Sequence, residues 1–443
     1  MNLKEKENDS KPQDNLTCQD LALNVEISSK KDFYNNNNNI YYNNSKNQSK
    51  DCFIAKIVLA IIYFTLIICI EQIYREDLFD ESIDAQEDIR EDHDKNSAFY
   101  NFWKFISYFG EAKLTFPIFA IIFLFFPLSS SFLTLQSLIY AIYITNLFKI
   151  IYRNGRPYWE SKILDVVCNS GYGNPSGHSV TSTSYYMTLP HIVTNFDFFK
   201  KKINGIILRV IIFILFWALG ALVMISRIIL AAHSINQVVY GFTLGLGIYY
   251  VLIYILSYHT YEPNFFIKHI TSVLVIIIYM ILHFALLILL IIIYFSIHDN
   301  ELLKEKANRD IFNGERCKIK KDYLMLRYDG FFQALALTAI IGAHLGIILL
   351  VCLLKKYKYV INGHITEFIR SSVKRWLIRL PILIVCGIFM LLHFCIPGSS
   401  PLSVIFIFKS AISFFLTTLG IFFIGIFISI HCNLANERIE RIT

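Results

Sequence analysis

The chain lacks any Cys-x-x-Cys pair and any Cys/His spacing of the kind that closes a zinc site. It has no dense basic run interleaved with aromatics, which removes nucleic acid as a partner. No basic stretch leading into an apolar core stands at its start, so the first spanning helix must itself serve as the insertion signal. Charge of either sign is scarce: 17% of the 443 residues are charged against 55% hydrophobic, with a mean hydropathy of +0.49. That balance is too apolar for a soluble protein of this size and leaves the polytopic membrane class. The net charge of +7 sits mostly between apolar runs, where it orients helices rather than recruits a partner.

Nine cysteines are scattered through the chain, and Cys69, Cys352, Cys386 and Cys432 lie in or beside apolar segments as small hydrophobes. Cys168 and Cys317 fall on the face away from the cytosol, where a disulfide is chemically allowed, although spacing fixes no pairing.

Residues 1–50 are polar and Asn-rich and read as a disordered cytosolic tail. Residues 51–257 form the first membrane region, with spans expected at 52–70, 114–128, 132–151, 178–193, 204–226 and 231–257, each near the roughly 20 residues needed to cross a bilayer. Residues 258–443 add four more spans, at 269–296, 331–354, 376–395 and 403–431. The fold expected is therefore all-α with ten spans. Residues 71–95, dense in Asp and Glu, read as a solvated loop, and 98–110 as an aromatic helix lying in the interface. Ser129-Ser130-Ser131 reads as a tight turn in a helical hairpin. Lys-rich sequence before the first span, together with the basic loops at 200–202 and 355–375, puts the N-terminus in the cytosol and residues 152–177 and Arg227 on the opposite face.

Three polar clusters meet on that face. Lys149 and Arg156 are seven apart and would share a face over two helical turns, stopped by Pro157. An ammonium and a forked guanidinium suit a phosphate monoester. In Asn174-Pro175-Ser176-Gly177-His178, Pro175 suits a first helical turn, Gly177 admits close approach, Ser176 offers a hydroxyl, and His178 is placed to protonate a leaving alkoxide. Free N–H groups at that helix start would face an anion. Arg227 interrupts an apolar run at a cost of about 2.5–3.5 kcal/mol on insertion scales, which calls for a partner. His233 and Gln237 are four apart on one helical face, so the Gln237 amide oxygen can accept from one ring nitrogen and leave the other as nucleophile.

Taken together, Lys149-x6-Arg156-Pro157, Pro175-Ser176-Gly177-His178 and Ser226-Arg227-x5-His233 resemble the type 2 phosphatidic acid phosphatase superfamily. The resemblance covers about 52–257. It implies a phosphate cradle of Lys149, Arg156, Ser176, Gly177 and Arg227, attack by His233, proton donation by His178, and no metal or other cofactor. Gln237 departs from the aspartate of that pattern, and the third motif with Arg156-Pro157-Tyr158-Trp159 is similar to glucose-6-phosphatases. The expectation is an integral-membrane phosphatase acting on a lipid phosphate (sphingoid phosphate, phosphatidate or lysophosphatidate), with the site on the luminal or extracellular side of the endoplasmic reticulum or another endomembrane. A sugar phosphate hydrolase is the runner-up, and a non-catalytic lipid-binding or scaffolding protein the alternative of another class. Whether the chain forms a homo-oligomer stays open. His283, His344 and His393 each stand alone in apolar spans and read as hydrogen-bonded packing residues. The sequons at Asn15 and Asn47 lie in the tail expected in the cytosol, where they would go unused.

Overall fold

The computed structural model describes residues 18–94, 96–126, 128–161, 163–164, 171–195, 206–256, 270–296, 330–356, 384 and 410–425, with side chains from Phe53 onward. The chain divides into Met1–Leu59 and Ala60–Thr443, and the helices that carry the polar clusters all belong to the second unit. Among the described residues the regular elements are helical and no strand occurs. In hydrocarbon each backbone N–H and C=O must be satisfied within its own segment, and a helix does so.

The helices are α1 (Cys18–Asp92), α2 (Ala98–Ser107), α3 (Ala112–Phe125), α4 (Leu128–Tyr152), α5 (Pro157–Glu160), α6 (Gly177–Asn195), α7 (Ile206–Ile229), α8 (Ile235–Tyr250), α9 (Val273–Ser296), α10 (Thr338–Lys356) and α11 (Ser413–Gly420). Six described helices are long and apolar enough to cross a membrane, and seven if the pair α2–α3, bent by 42°, is one span. The protein is an all-α polytopic membrane protein. Of the ten expected spans, 376–395 lies outside the described residues apart from Ile384, as do Cys168, Cys317, His393 and the basic residues 200–202. The last expected span is described only as the shorter apolar helix Ser410–Ile424.

At the centre stands α6, which is not apolar: seven of its 19 residues are Ser or Thr. It packs against α4, α7 and α8. Its hydroxyls turn back onto its own backbone, Thr188 Oγ1 donating to the Ser184 carbonyl and Thr194 Oγ1 to that of Pro190, each at 2.7 Å. Ser137 Oγ of α4 donates to Ser184 Oγ at 3.3 Å. Close approach of α8 depends on two glycines one turn apart, the small-xxx-small pattern of membrane helix pairs. A Cβ on Gly241 would lie 2.7 Å from the Ser176 carbonyl oxygen, and one on Gly245 would lie 2.6 Å from Thr183 Cβ. The opposite side of α4 joins a second core, in which Leu135, Ile139 and Tyr143 meet Leu290, Leu337, Ile340 and Ile347. There His283 bonds Tyr140 Oη at 3.0 Å and the Tyr279 carbonyl at 2.7 Å. His344 bonds the Ile270 carbonyl at 3.0 Å.

Two local expectations are corrected. The acidic block is no loop: α1 continues unbroken to Asp92, because residues 71–92 contain neither Gly nor Pro and are rich in good helix formers. Its acids mostly face outward, while Glu71, Ser82 and Gln86 are buried. Ser129, Ser130 and Ser131 are not a turn either but the first turn of α4. The break falls at Phe126, whose extended backbone (φ −114°, ψ 163°) is what a residue preceding Pro127 adopts.

Because the α6–α8 seam is closed at Gly245, Gly245→Ala is expected to cost about 1–3 kcal/mol by overpacking. Gly220→Ala, where the nearest atom to the new Cβ is 3.6 Å away, is expected to be neutral or stabilising. Thermal transitions of the two detergent-solubilised variants provide the comparison.

Candidate active site

The three polar clusters converge on a cavity of about 310 Å³ lined by Lys149, Arg156, Gly177, His178, Arg227 and His233, together with Glu111, Thr145, Asn146, Thr181 and Gln333. Each arrives by a local device.

Lys149 sits in the last turn of α4. The expected shared helical face with Arg156 does not form, because the helix ends at Tyr152 and Arg153 takes a left-handed φ of 50°. Arg156, preceding Pro157, is extended (φ −110°, ψ 159°) as that position favours. A turn, rather than helical spacing, brings the two cations to the cavity. Four of the five N–H donors of Arg156 are engaged within the protein. Nε donates to the Gly171 carbonyl at 2.5 Å, Nη2 to that of Tyr172 at 3.3 Å, and Nη1 to that of Ala232 at 2.8 Å and to His233 Nε2 at 3.1 Å. This guanidinium thus ties the first motif to the third.

In the second motif α6 begins at Gly177, so Pro175 precedes the helix rather than starting it. The first intrahelical bond runs from Val180 N to the Ser176 carbonyl at 3.1 Å. The N–H groups of Gly177, His178 and Ser179 therefore have no intrahelical acceptor. Ser176 itself is fully buried and does not line the cavity. Its N–H donates to the Gln237 carbonyl at 3.0 Å and its Oγ accepts from Ser179 Oγ at 3.0 Å. The His178 ring lies against Gly110, where a Cβ would come within 2.8 Å of Cδ2. His178 Nε2 is shielded and has no hydrogen-bond partner.

The third motif is a helix C-cap used as a scaffold. Ala231 is left-handed (φ 48°); Ala232 N donates to the Arg227 carbonyl at 3.1 Å and Ala231 N to that of Ile228 at 2.9 Å. Those two bonds define a Schellman motif with alanine where glycine is usual. His233 N also reaches the Arg227 carbonyl, at 3.3 Å, so one carbonyl couples the spacing of arginine and histidine. Arg227 Nη1 donates to Ser107 Oγ at the end of α2. Its Nε and Nη2, both buried, have no partner.

His233, only 2% exposed, is oriented by its Nδ1, which lies 2.8 Å from the Gly173 carbonyl and 3.1 Å from Gln237 Oε1. Two acceptors there place the proton on Nδ1 and a lone pair on Nε2. The amide is oriented in turn: Gln237 Nε2 donates to the Gly155 carbonyl at 2.8 Å. Burial, together with the charges of Arg156, Arg227 and Lys149, holds the His233 pKa well below the ordinary imidazole value. A neutral imidazole fixed in one tautomer, with its Nε2 lone pair accepting from Arg156 Nη1 on the wall of the cavity, is the form a nucleophile needs.

Sequence reasoning missed Ser107, Gly110 and Gly173. A Cβ on Gly173 would collide with the Gly155 carbonyl and both amide atoms of Gln237, and only the Gly171-Tyr172-Gly173 repeat just before the second motif hinted at that crowding. Glu111 and Gln333 were also missed, since neither stands in a motif.

Residues 130–261 match the family model described as the PAP2 superfamily. The chain is 35% identical over 117 residues to glucose-6-phosphatase catalytic subunit 1 of Mus musculus and 34% identical over 117 residues to that of Rattus norvegicus, covering 23% of this chain and 33% of each relative. It is 27% identical over 174 residues to glucose-6-phosphatase 2 of Homo sapiens, covering 34% of this chain and 47% of that protein. The chain thus spans between a third and a half of the curated relatives it matches. No solved structure matches it.

The bonds at both ends of the Gln237 amide make the pocket specific for an amide. Gln237→Asp, which shortens the side chain and sets an acceptor toward the Gly155 carbonyl, is expected to lower kcat by about tenfold or more, the equivalent of one lost buried hydrogen bond. A rise in kcat measured on the purified variant would show that charge, not the Gly155 tether, governs His233.

Proposed function

We propose that the chain is an integral-membrane phosphoric monoester hydrolase that works through a phosphohistidine on His233, without a metal, and faces away from the cytosol in an endomembrane. The observation that carries this reading is the set of buried nitrogens left without partners around one cavity, Arg227 Nε and Nη2 and His178 Nε2, beside an imidazole whose tautomer is already fixed. Unpartnered buried donors are costly. A phosphoryl group supplies the acceptors, and its negative charge offsets Lys149, Arg156 and Arg227. So cationic a lining disfavours a divalent metal.

In the first step His233 Nε2 attacks phosphorus, an N–P bond forms as the ester P–O bond breaks, and the leaving alkoxide takes a proton from His178, whose protonated form the negative charge of the bound phosphate favours. Arg227, Lys149 and the N–H groups at the start of α6 hold the equatorial oxygens, where transition-state charge spreads. In the second step His178 takes a proton from water as its oxygen attacks phosphorus. The N–P bond breaks, releasing phosphate and free His233.

The rest of the cavity wall bears on substrate. Beyond the phosphate-facing groups Glu111, Thr115, Thr145, Asn146, Thr181 and Gln333 line it beside Leu138 and Ile142. The hydrogen-bonding groups among them can serve a hydroxylated alcohol. Those groups, with the glucose-6-phosphatase relatives, favour a sugar phosphate over the lipid phosphate that the sequence alone put first.

Purified full-length protein in lipid nanodiscs with EDTA is expected to release phosphate from glucose 6-phosphate faster than from lysophosphatidate. His233→Ala is expected to lose about 10³-fold or more in kcat, as removal of a nucleophile does. Turnover that survives His233→Ala would sink the mechanism, and preference for lysophosphatidate would sink the sugar assignment.

The pH profile gives a further test. A histidine whose pKa lies below its ordinary value stays neutral, and competent to attack, as pH falls through that value. The acid limb of kcat/KM is therefore expected below about pH 6.5, the unperturbed imidazole value. A limb at or above that pH would contradict a buried neutral nucleophile.

A further inference from the structure

The polar extension of α1 has no part in the chemistry above, yet its buried side chains bond directly to the loops that carry it. Ser82 and Gln86 lie 11 and 15 positions beyond Glu71, which puts all three on one helical face. Glu71, Ser82 and Gln86 are 7%, 0% and 2% exposed, whereas Glu76, Asp80, Asp84 and Asp88 between and beyond them lie nearer the outside.

Gln86 Nε2 donates to the His233 carbonyl at 2.8 Å and to the Ile228 carbonyl at 3.0 Å. These oxygens stand at the two ends of the Schellman turn, so a single amide nitrogen clasps it. Gln86 Oε1 is buried without a partner, so the side chain is held by its donors alone. Ser82 Oγ accepts from Ile235 N, at the start of α8, at 2.9 Å. Glu71 Oε1 accepts from Asn174 Nδ2 at 2.6 Å and from Asn236 Nδ2 at 3.5 Å. Asn174 begins the second motif and Asn236 adjoins Gln237, so one carboxylate bridges the turn that leads to the acid and the helix that orients the nucleophile.

Resting on the phosphatase reading above, we propose that the segment Glu71–Asp92 of α1 is a positioning element of the active site, in which Gln86 sets the backbone of the nucleophile and Glu71 sets the second motif against the third. The helix bonds two backbone carbonyls, one backbone N–H and two asparagine side chains of the site's loops and touches none of the reacting atoms. Misplacement of a reacting group by about 1 Å can cost about 10²-fold in rate, so loss of such a tether acts on turnover before affinity.

Gln86→Met keeps the side-chain volume, removes the donor and also removes the orphaned oxygen. It is expected to fold with an unchanged thermal transition and to lower kcat for glucose 6-phosphate by about ten- to a hundredfold, with KM within about twofold. Backbone amide exchange over residues 228–237 of the nanodisc-embedded full chain is expected to rise by about tenfold or more. Gln86→Glu, of the same size but facing two carbonyls with an acceptor, is expected to do the same. Glu71→Gln retains the oxygen that Asn174 bonds and is expected to stay within about threefold of wild type, while Glu71→Leu is expected to fall as Gln86→Met does. Asp84→Asn, on the outer face, is expected to change nothing. Wild-type kcat, or unchanged exchange over 228–237, in both Gln86 variants would overturn the proposal. If the wild-type chain releases no phosphate while exchange rises in Gln86→Met, the phosphatase reading falls and the positioning role stands.

Discussion

A guanidinium buried among membrane helices with donors unspent is the constraint on which the rest of the site turns. Arg227 is 2% exposed, gives one nitrogen to Ser107 and keeps Nε and Nη2 without partners. Isolated charge in such surroundings is strongly disfavoured. The protein tolerates it by building a polar interior around it, with α6 lined by hydroxyls, a glycine-sealed seam against α8 and loops whose backbone groups are bonded in pairs. Binding an anion would relieve the same constraint, so stability and chemistry depend on one group.

The two arginines divide their labour in a way that residue type does not reveal. Arg156 is bonded to three carbonyls and to His233, so most of its fork holds the scaffold. Arg227 holds little and has most of its fork free for a ligand. Both were assigned to the cradle by charge, guanidinium shape and motif, and only their bonding separates them.

Much of the fold was legible because hydropathy dominates it: α3, α4, α6, α7 and α8 were located within a few residues, and Lys149, Arg156, Gly177, His178, Arg227 and His233 all reach one cavity. What was missed has physical causes. The α1 extension looked like a loop because acidic residues were read by charge rather than by the absence of any helix breaker. Lys149 and Arg156 were placed on one helix because spacing was trusted over the effect of Pro157 on the residue before it. The surroundings of Ser176, assigned to the phosphate because hydroxyls suit anions, could not be read from its type: it is buried, its N–H bonds the Gln237 carbonyl and its Oγ accepts from Ser179 Oγ. Gly173 and Gly110 carry no chemistry of their own, and their part is visible only from what a methyl group would strike. Gln333 came from a region outside every motif, where sequence offered nothing to connect it with the cavity.

The composition of α6 also bears on how the protein is made. A helix with Ser or Thr at seven of 19 positions has little tendency to leave an aqueous channel for lipid by itself. It gains its place only against the faces of α4, α7 and α8, two of which are synthesised after it. Enclosure of the helix that bears His178 thus depends on partners made both before and after it.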